Sequence, residues 1–136
     1  YKAADNGVKI KMIIRGMCCL IPTHHKNIKV ISIIDRFLEH TRIFIFNNNK
    51  KNETYISSAD WMTRNLDNRV EVTCPIHDSK IKKEINDIFN IYWSDNVKSR
   101  LINQKDANVY KSDINKSKSV RSQLEIYNYY KSKIEN

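Results

Sequence analysis

From Asp78 onward, Ile81, Ile85, Ile88, Phe89 and Tyr92 recur at the spacing that lines up along one side of an α-helix. A helix with one apolar stripe needs something to cover it, and the residues before it supply short strands. Residues 8–14 alternate and then turn wholly apolar. Residues 28–33, 41–46, 53–57 and 69–74 are further short runs rich in Ile, Val, Phe and Thr, separated by polar or proline-containing breaks. Strands followed by a strongly periodic helix predict an α/β domain, with a central mixed sheet and the helix over 78–95 packed on one face. Residues 1–6 read as the end of a helix stopped by Gly7. Asp35 is placed to cap a single helical turn. The segment 97–115 reads as irregular, and 119–134 as a closing helix with Val120, Leu124, Tyr127 and Ile134 on one side.

The chain has 136 residues, which fits one domain, residues 1–136. No apolar run approaches a transmembrane span, and the opening Tyr1-Lys2-Ala3-Ala4-Asp5 is not a signal peptide. Without an initiator methionine, the expectation is a piece of a longer protein. The formal net charge of +9 favours polyanionic partners, although the abundance of Asn, Ile and Lys can reflect base composition instead. Three cysteines, two of them adjacent, do not form a disulfide framework or a metal motif, so Cys18, Cys19 and Cys74 are expected as buried free thiols. His24 and His25 are expected as exposed loop residues.

The chemistry-bearing residues sit at strand ends. Arg15 and Gly16 close the first strand, where open α/β sheets place ligands, and Gly16 is expected to free the backbone to turn. His40 and Arg42, two apart in an extended segment, share a face. A guanidinium beside an imidazole suits phosphoryl groups: arginine grips oxygens in a fork, and histidine moves a proton near neutral pH. Ser57, Ser58 and Asp60 follow the next strand, with Arg64, Asn65 and Arg69 behind them. For any single His-x-Arg, a half-buried strand with both side chains facing solvent is the commoner situation.

The words around these residues resemble the carboxy-terminal part of bacterial-type polyphosphate kinase. They are Ile13-Ile14-Arg15-Gly16-Met17-Cys18-Cys19-Leu20, Arg36-Phe37-Leu38-Glu39-His40-Thr41-Arg42-Ile43, Tyr55-Ile56-Ser57-Ser58-Ala59-Asp60-Trp61-Met62, Arg64-Asn65-Leu66-Asp67 and Val120-Arg121-Ser122-Gln123-Leu124. The resemblance runs in order along the chain and implies a phospholipase-D-like α/β domain, a mixed β-sheet flanked by helices, the last of four in that family. It implies reversible transfer of the terminal phosphoryl of ATP to inorganic polyphosphate through a phosphohistidine in a preceding, paired domain, so this chain alone is expected to be inactive. Arg15 and His40 match the family's nucleotide-phosphate contacts, and His40 is the catalytic candidate. Arg42 is a further phosphate candidate, and Ser58, Arg64 and Arg69 are weaker ones, with Asp60, Asp67 and Glu71 as alternative ion-pair partners for the arginines. The resemblance also implies Mg2+ accompanying ATP with ligands outside this chain, ATP/ADP and polyphosphate as partners, the preceding domains, a homo-oligomer, and a cytoplasmic, membrane-associated setting. The segment 21–27 is shorter than the family's glycine-rich loop, and the turn 47–52 lacks glycine. The phospholipase-D words H-x-K-D and G-S-x-N are absent, which weighs against a second reading as a phosphodiesterase. A third reading is a non-catalytic polyanion-binding module, consistent with the shortened loops and basic charge.

Overall fold

The computed structural model describes residues 1–22, 25–102, 109–111 and 118–135. The chain divides into two compact units, residues 1–39 with 90–136 and residues 40–89. In place of one central sheet there are two three-stranded sheets, one in each unit.

In the first unit, a short helix α1 (Lys2–Asp5) leads through Gly7, at φ 87°, into β1 (Ile10–Ile14). That positive φ is where glycine is needed. Gly16 has no such φ, and a Cβ built there meets nothing within 4 Å, so the turn after β1 does not require glycine. The central strand β2 (Ile28–Ile33) pairs parallel with β1 and antiparallel with β6 (Ser99–Leu101), so this sheet is mixed. Val30, Ile31 and Ile33 are each at most 3% exposed. Ala4, Ile28 and Val30 form a cluster against which Ile10, Met12, Ile14, Leu20 and Ile102 pack.

The second unit carries β3 (Ile43–Asn48), β4 (Lys51–Ser57) and β5 (Thr73–Ile76), all antiparallel, with the short helix α2 (Thr63–Leu66) between the last two. The β3–β4 turn is only Asn49-Lys50, both at positive φ, 47° and 67°. The strands therefore extend into the predicted polar loop, through the pairs Asn47↔Asn52 and Asn48↔Lys51. The fifth strand is displaced towards the C-terminus and contains Pro75. Because β5 is an edge strand, the missing N–H can be tolerated there.

The periodic helix is α3 (Ser79–Ser94), with Asp78 Oδ1 accepting from the Lys80 and Ile81 N–H groups. Along its stripe Ile88 is 8% exposed and Ile85 half-buried, whereas Ile81, at the first turn, is 51% exposed. The closing helix is α4 (Ser122–Ile134). Leu124, Tyr127 and Ile134 are exposed, so its apolar side does not pack as expected. Polar contacts at its N-terminal end hold it instead.

Other expectations also change. Asp35 caps no helix: residues 35–39 run without regular structure. Cys19 and Cys74 are exposed, and Cys18 is half-buried; Cys74 lies on the edge strand. His25 is half-buried, stacked on Tyr1 at 4.8 Å with Nδ1 3.1 Å from Asp5 Oδ1. His24 lies outside the described residues. No helix among the described residues is long and apolar enough to cross a membrane.

Candidate active site

Within the first unit, Arg15 follows β1 and is half-buried. Its guanidinium donates to the main-chain oxygen of Glu39. The Glu39 side chain is held as well: Oε2 accepts from the Tyr92 hydroxyl at 2.6 Å, and Oε1 from Gln123 Nε2 at 2.8 Å. Gln123 also takes both main-chain groups of Phe37, donating from Nε2 to the carbonyl at 2.8 Å and accepting at Oε1 from the N–H at 3.2 Å. Two residues earlier, Asp35 receives a fork from Arg121, Nε to Oδ2 at 2.8 Å and Nη2 to Oδ1 at 2.6 Å. The Asp35 side chain is 1% exposed. The fork keeps its carboxyl below the usual range, and the carboxylate in turn raises Arg121.

Asp95, fully buried, immediately follows α3. Its Oδ1 accepts from the N–H groups of Val97, Lys98 and Ser99, and its Oδ2 from the N–H and hydroxyl of Ser122. The same carboxylate thus closes the turn into β6 and caps α4. Asn96 adds three bonds to the chain just before α4: its N–H to the Val120 carbonyl, its Nδ2 to the Lys118 carbonyl, and its Oδ1 from the Val120 N–H. Sequence reasoning missed Asp95 and Asn96. Two adjacent polar residues at the end of an amphipathic helix look like a solvated exit.

In the second unit, His40 is exposed, and its imidazole has no hydrogen-bond partner among the described residues. Arg42 is committed to Asp60, Nε to Oδ1 at 2.8 Å, and its Nη1 donates to the His40 carbonyl at 3.2 Å. The Asp60 hydrogen bond raises its pKa. Ser58 donates to Glu71, and its Oγ accepts from the Val72 N–H at 3.0 Å. Asn65 Nδ2 reaches the other Glu71 oxygen at 2.7 Å. Those two hydrogen bonds, that from Ser58 first, hold the Glu71 carboxyl below its usual value. Arg64 and Arg69 are exposed; Arg69 adds favourable charge near Glu71. The structure therefore brings Arg42 to Asp60, and Ser58 and Asn65 to Glu71. Trp61 stacks on Phe44 with ring centroids 5.4 Å apart. Among the described residues, no group of three or more His, Cys, Asp or Glu could hold a metal ion.

Residues 1–123 match the family model of the polyphosphate kinase C-terminal domain 2. A polyphosphate kinase of Vibrio parahaemolyticus is 52% identical over 134 residues, covering 96% of this chain and 19% of the relative. One from Klebsiella pneumoniae is 51% identical over 135 residues, covering 97% and 20%. The crystal structure of polyphosphate kinase from Porphyromonas gingivalis matches with a TM-score of 0.91 at 46% identity, covering 98% of this chain and 21% of that one. The chain spans about a fifth of the length of these relatives. With so long a match to the family model, the chain belongs to the polyphosphate kinase C-terminal domain family.

Proposed function

We propose that this chain is the last, phospholipase-D-like domain of a polyphosphate kinase and serves reversible transfer of the terminal phosphoryl of ATP to inorganic polyphosphate. In this reading a histidine in a preceding domain attacks the terminal phosphorus, and the bond to the ADP oxygen breaks. A terminal polyphosphate oxygen then attacks the phosphohistidine and breaks its P–N bond. Such transfer needs positioning and charge neutralisation more than covalent chemistry from its surroundings. Arg15 would neutralise charge on the transferred group. His40 would hydrogen-bond the same oxygens or give a proton to the leaving one.

The observation that carries the reading is local. The carbonyl accepting from Arg15 belongs to the peptide whose nitrogen is His40's own, so one hydrogen bond and one peptide link join the two phosphate candidates. Arg42 we assign to orienting the start of β3, since Asp60 and the His40 carbonyl take its donors. Ser58 serves Glu71. Mg2+ would enter with ATP, with its protein ligands in the rest of the full-length protein. The full protein would act in the cytoplasm as a homo-oligomer.

In the full-length protein, Arg15→Ala and His40→Ala should each lower ATP-dependent polyphosphate synthesis by ~10²–10³, the usual cost of one preorganised donor. Near-normal rates in folded mutant protein would make both residues structural and favour a non-catalytic polyanion-binding domain.

A further inference from the structure

We infer that Gln123 is a positioning residue for phosphoryl transfer, setting the 37–39 segment that carries the Arg15 anchor and leads directly into His40. The inference rests on the roles proposed above for Arg15 and His40. It is carried by a contact set that a packing role does not require.

Gln123 sits in the first turn of α4, far along the chain from the segment it binds. Its amide matches a peptide group: Oε1 accepts the Phe37 N–H and Nε2 donates to the Phe37 carbonyl. This is the two-bond pattern of a strand neighbour, supplied by one side chain. The same Nε2 donates to the Glu39 carboxylate, which Tyr92 holds from the other oxygen. Segment 35–39 has no regular secondary structure, and its Phe37 and Leu38 side chains are 64% and 67% exposed. Apolar burial therefore contributes little to fixing it. What fixes it is polar: the Arg121 fork at Asp35, then Gln123 at Phe37 and Glu39, then Arg15 at the Glu39 carbonyl. Removing the amide frees the middle of that span. The Glu39 carbonyl and the His40 backbone then shift together, and with them both groups proposed to meet the phosphates.

The test is kinetic, in the full-length enzyme. Gln123→Leu keeps the bulk and removes all three hydrogen bonds. Gln123→Glu keeps size and the acceptor for the Phe37 N–H, but sets a carboxylate against the Glu39 carboxylate. Each should lower kcat for ATP-dependent synthesis by ~10–100-fold, with KM for ATP within about threefold, because misplacement by roughly 1 Å penalises the transition state more than ground-state binding. Adding Gln123→Leu to Arg15→Ala should cost clearly less than Gln123→Leu costs alone, since the Arg15 share of its effect is already gone and only the His40 share remains. Ser122→Ala loses a hydrogen bond to Asp95 next door and should lower the melting temperature while leaving kcat unchanged. Folded Gln123 variants with normal kcat, or losses that multiply in full with Arg15→Ala, would overturn the inference. If one variant does not fold, the other decides by the same readings. Normal rates in Arg15→Ala and His40→Ala would instead remove the reading beneath it.

Discussion

Replacing Asp95 by Asn removes one acceptor oxygen from a side chain that is fully buried and accepts five hydrogen bonds. If the new amide nitrogen takes the Oδ1 place, three backbone N–H groups lose their partner. If it takes the Oδ2 place, only the Ser122 N–H does, and the Ser122 hydroxyl can turn round to accept. The second orientation is the cheaper. It leaves one buried donor unmet and weakens the remaining bonds by removing the charge, together about 2–3 kcal/mol. The loss falls on the turn into β6 and on the start of α4. Hydrogen exchange in the intact protein reads it directly. Peptides covering 97–101 and 122–134 should exchange ~30–150-fold faster in Asp95→Asn, the factor that free energy implies for local opening. Peptides from β3 and β4 serve as the internal reference. Unchanged exchange in both target peptides of the folded variant would show that the carboxylate is not what ties these elements together.

The Asp35 carboxyl is lowered by the Arg121 fork, so its contribution to stability is full above the ordinary carboxylate pKa of ~3.9 and is lost as pH falls through the folded-state value. The stability gap between wild type and Asp35→Asn should accordingly be constant near neutrality and close in acid, read by urea unfolding at stepped pH; a gap independent of pH would refute it. Lys50 occupies the second position of the two-residue β3–β4 turn at φ 67°, so Lys50→Gly should stabilise the hairpin by about 0.5–1 kcal/mol, measurable as slower exchange of the β3 and β4 amides.

Two of the first unit's three strands were legible because isoleucine, valine and methionine dominate β1 and β2. Ile28–Ile33 is a strand with the expected bounds, and α3 begins and ends within one residue of its predicted limits. Polar elements were not legible. β6 is Ser-Arg-Leu, too short and polar to give a strand signal, and its buried first residue is satisfied by Asp95 four residues earlier, a carboxylate that residue type alone places in solvent. Val70 and Val72 looked like strand residues but are exposed, and the edge strand begins after them, running through the proline expected to stop it. Of the site, Arg15 at a strand end and the Arg42–Asp60 alternative could be read from residue type and position. The hold of Gln123 on Phe37 and Glu39 could not, because it spans more than eighty residues and depends on an amide whose sequence neighbours say nothing of it.

That long reach has a consequence for the order of folding. Residues 40–89 form their unit from one continuous stretch, whereas the other unit joins residues 1–39 to 90–136. During synthesis the inserted unit can close on itself while the segment leading into His40 still lacks Arg121 and Gln123. That segment receives its last fasteners only when the start of α4 has emerged. A nascent chain stalled before Arg121 would hold a formed β3–β4–β5 sheet while the 35–39 segment is still unset, so the proposed catalytic geometry would be among the last features to mature.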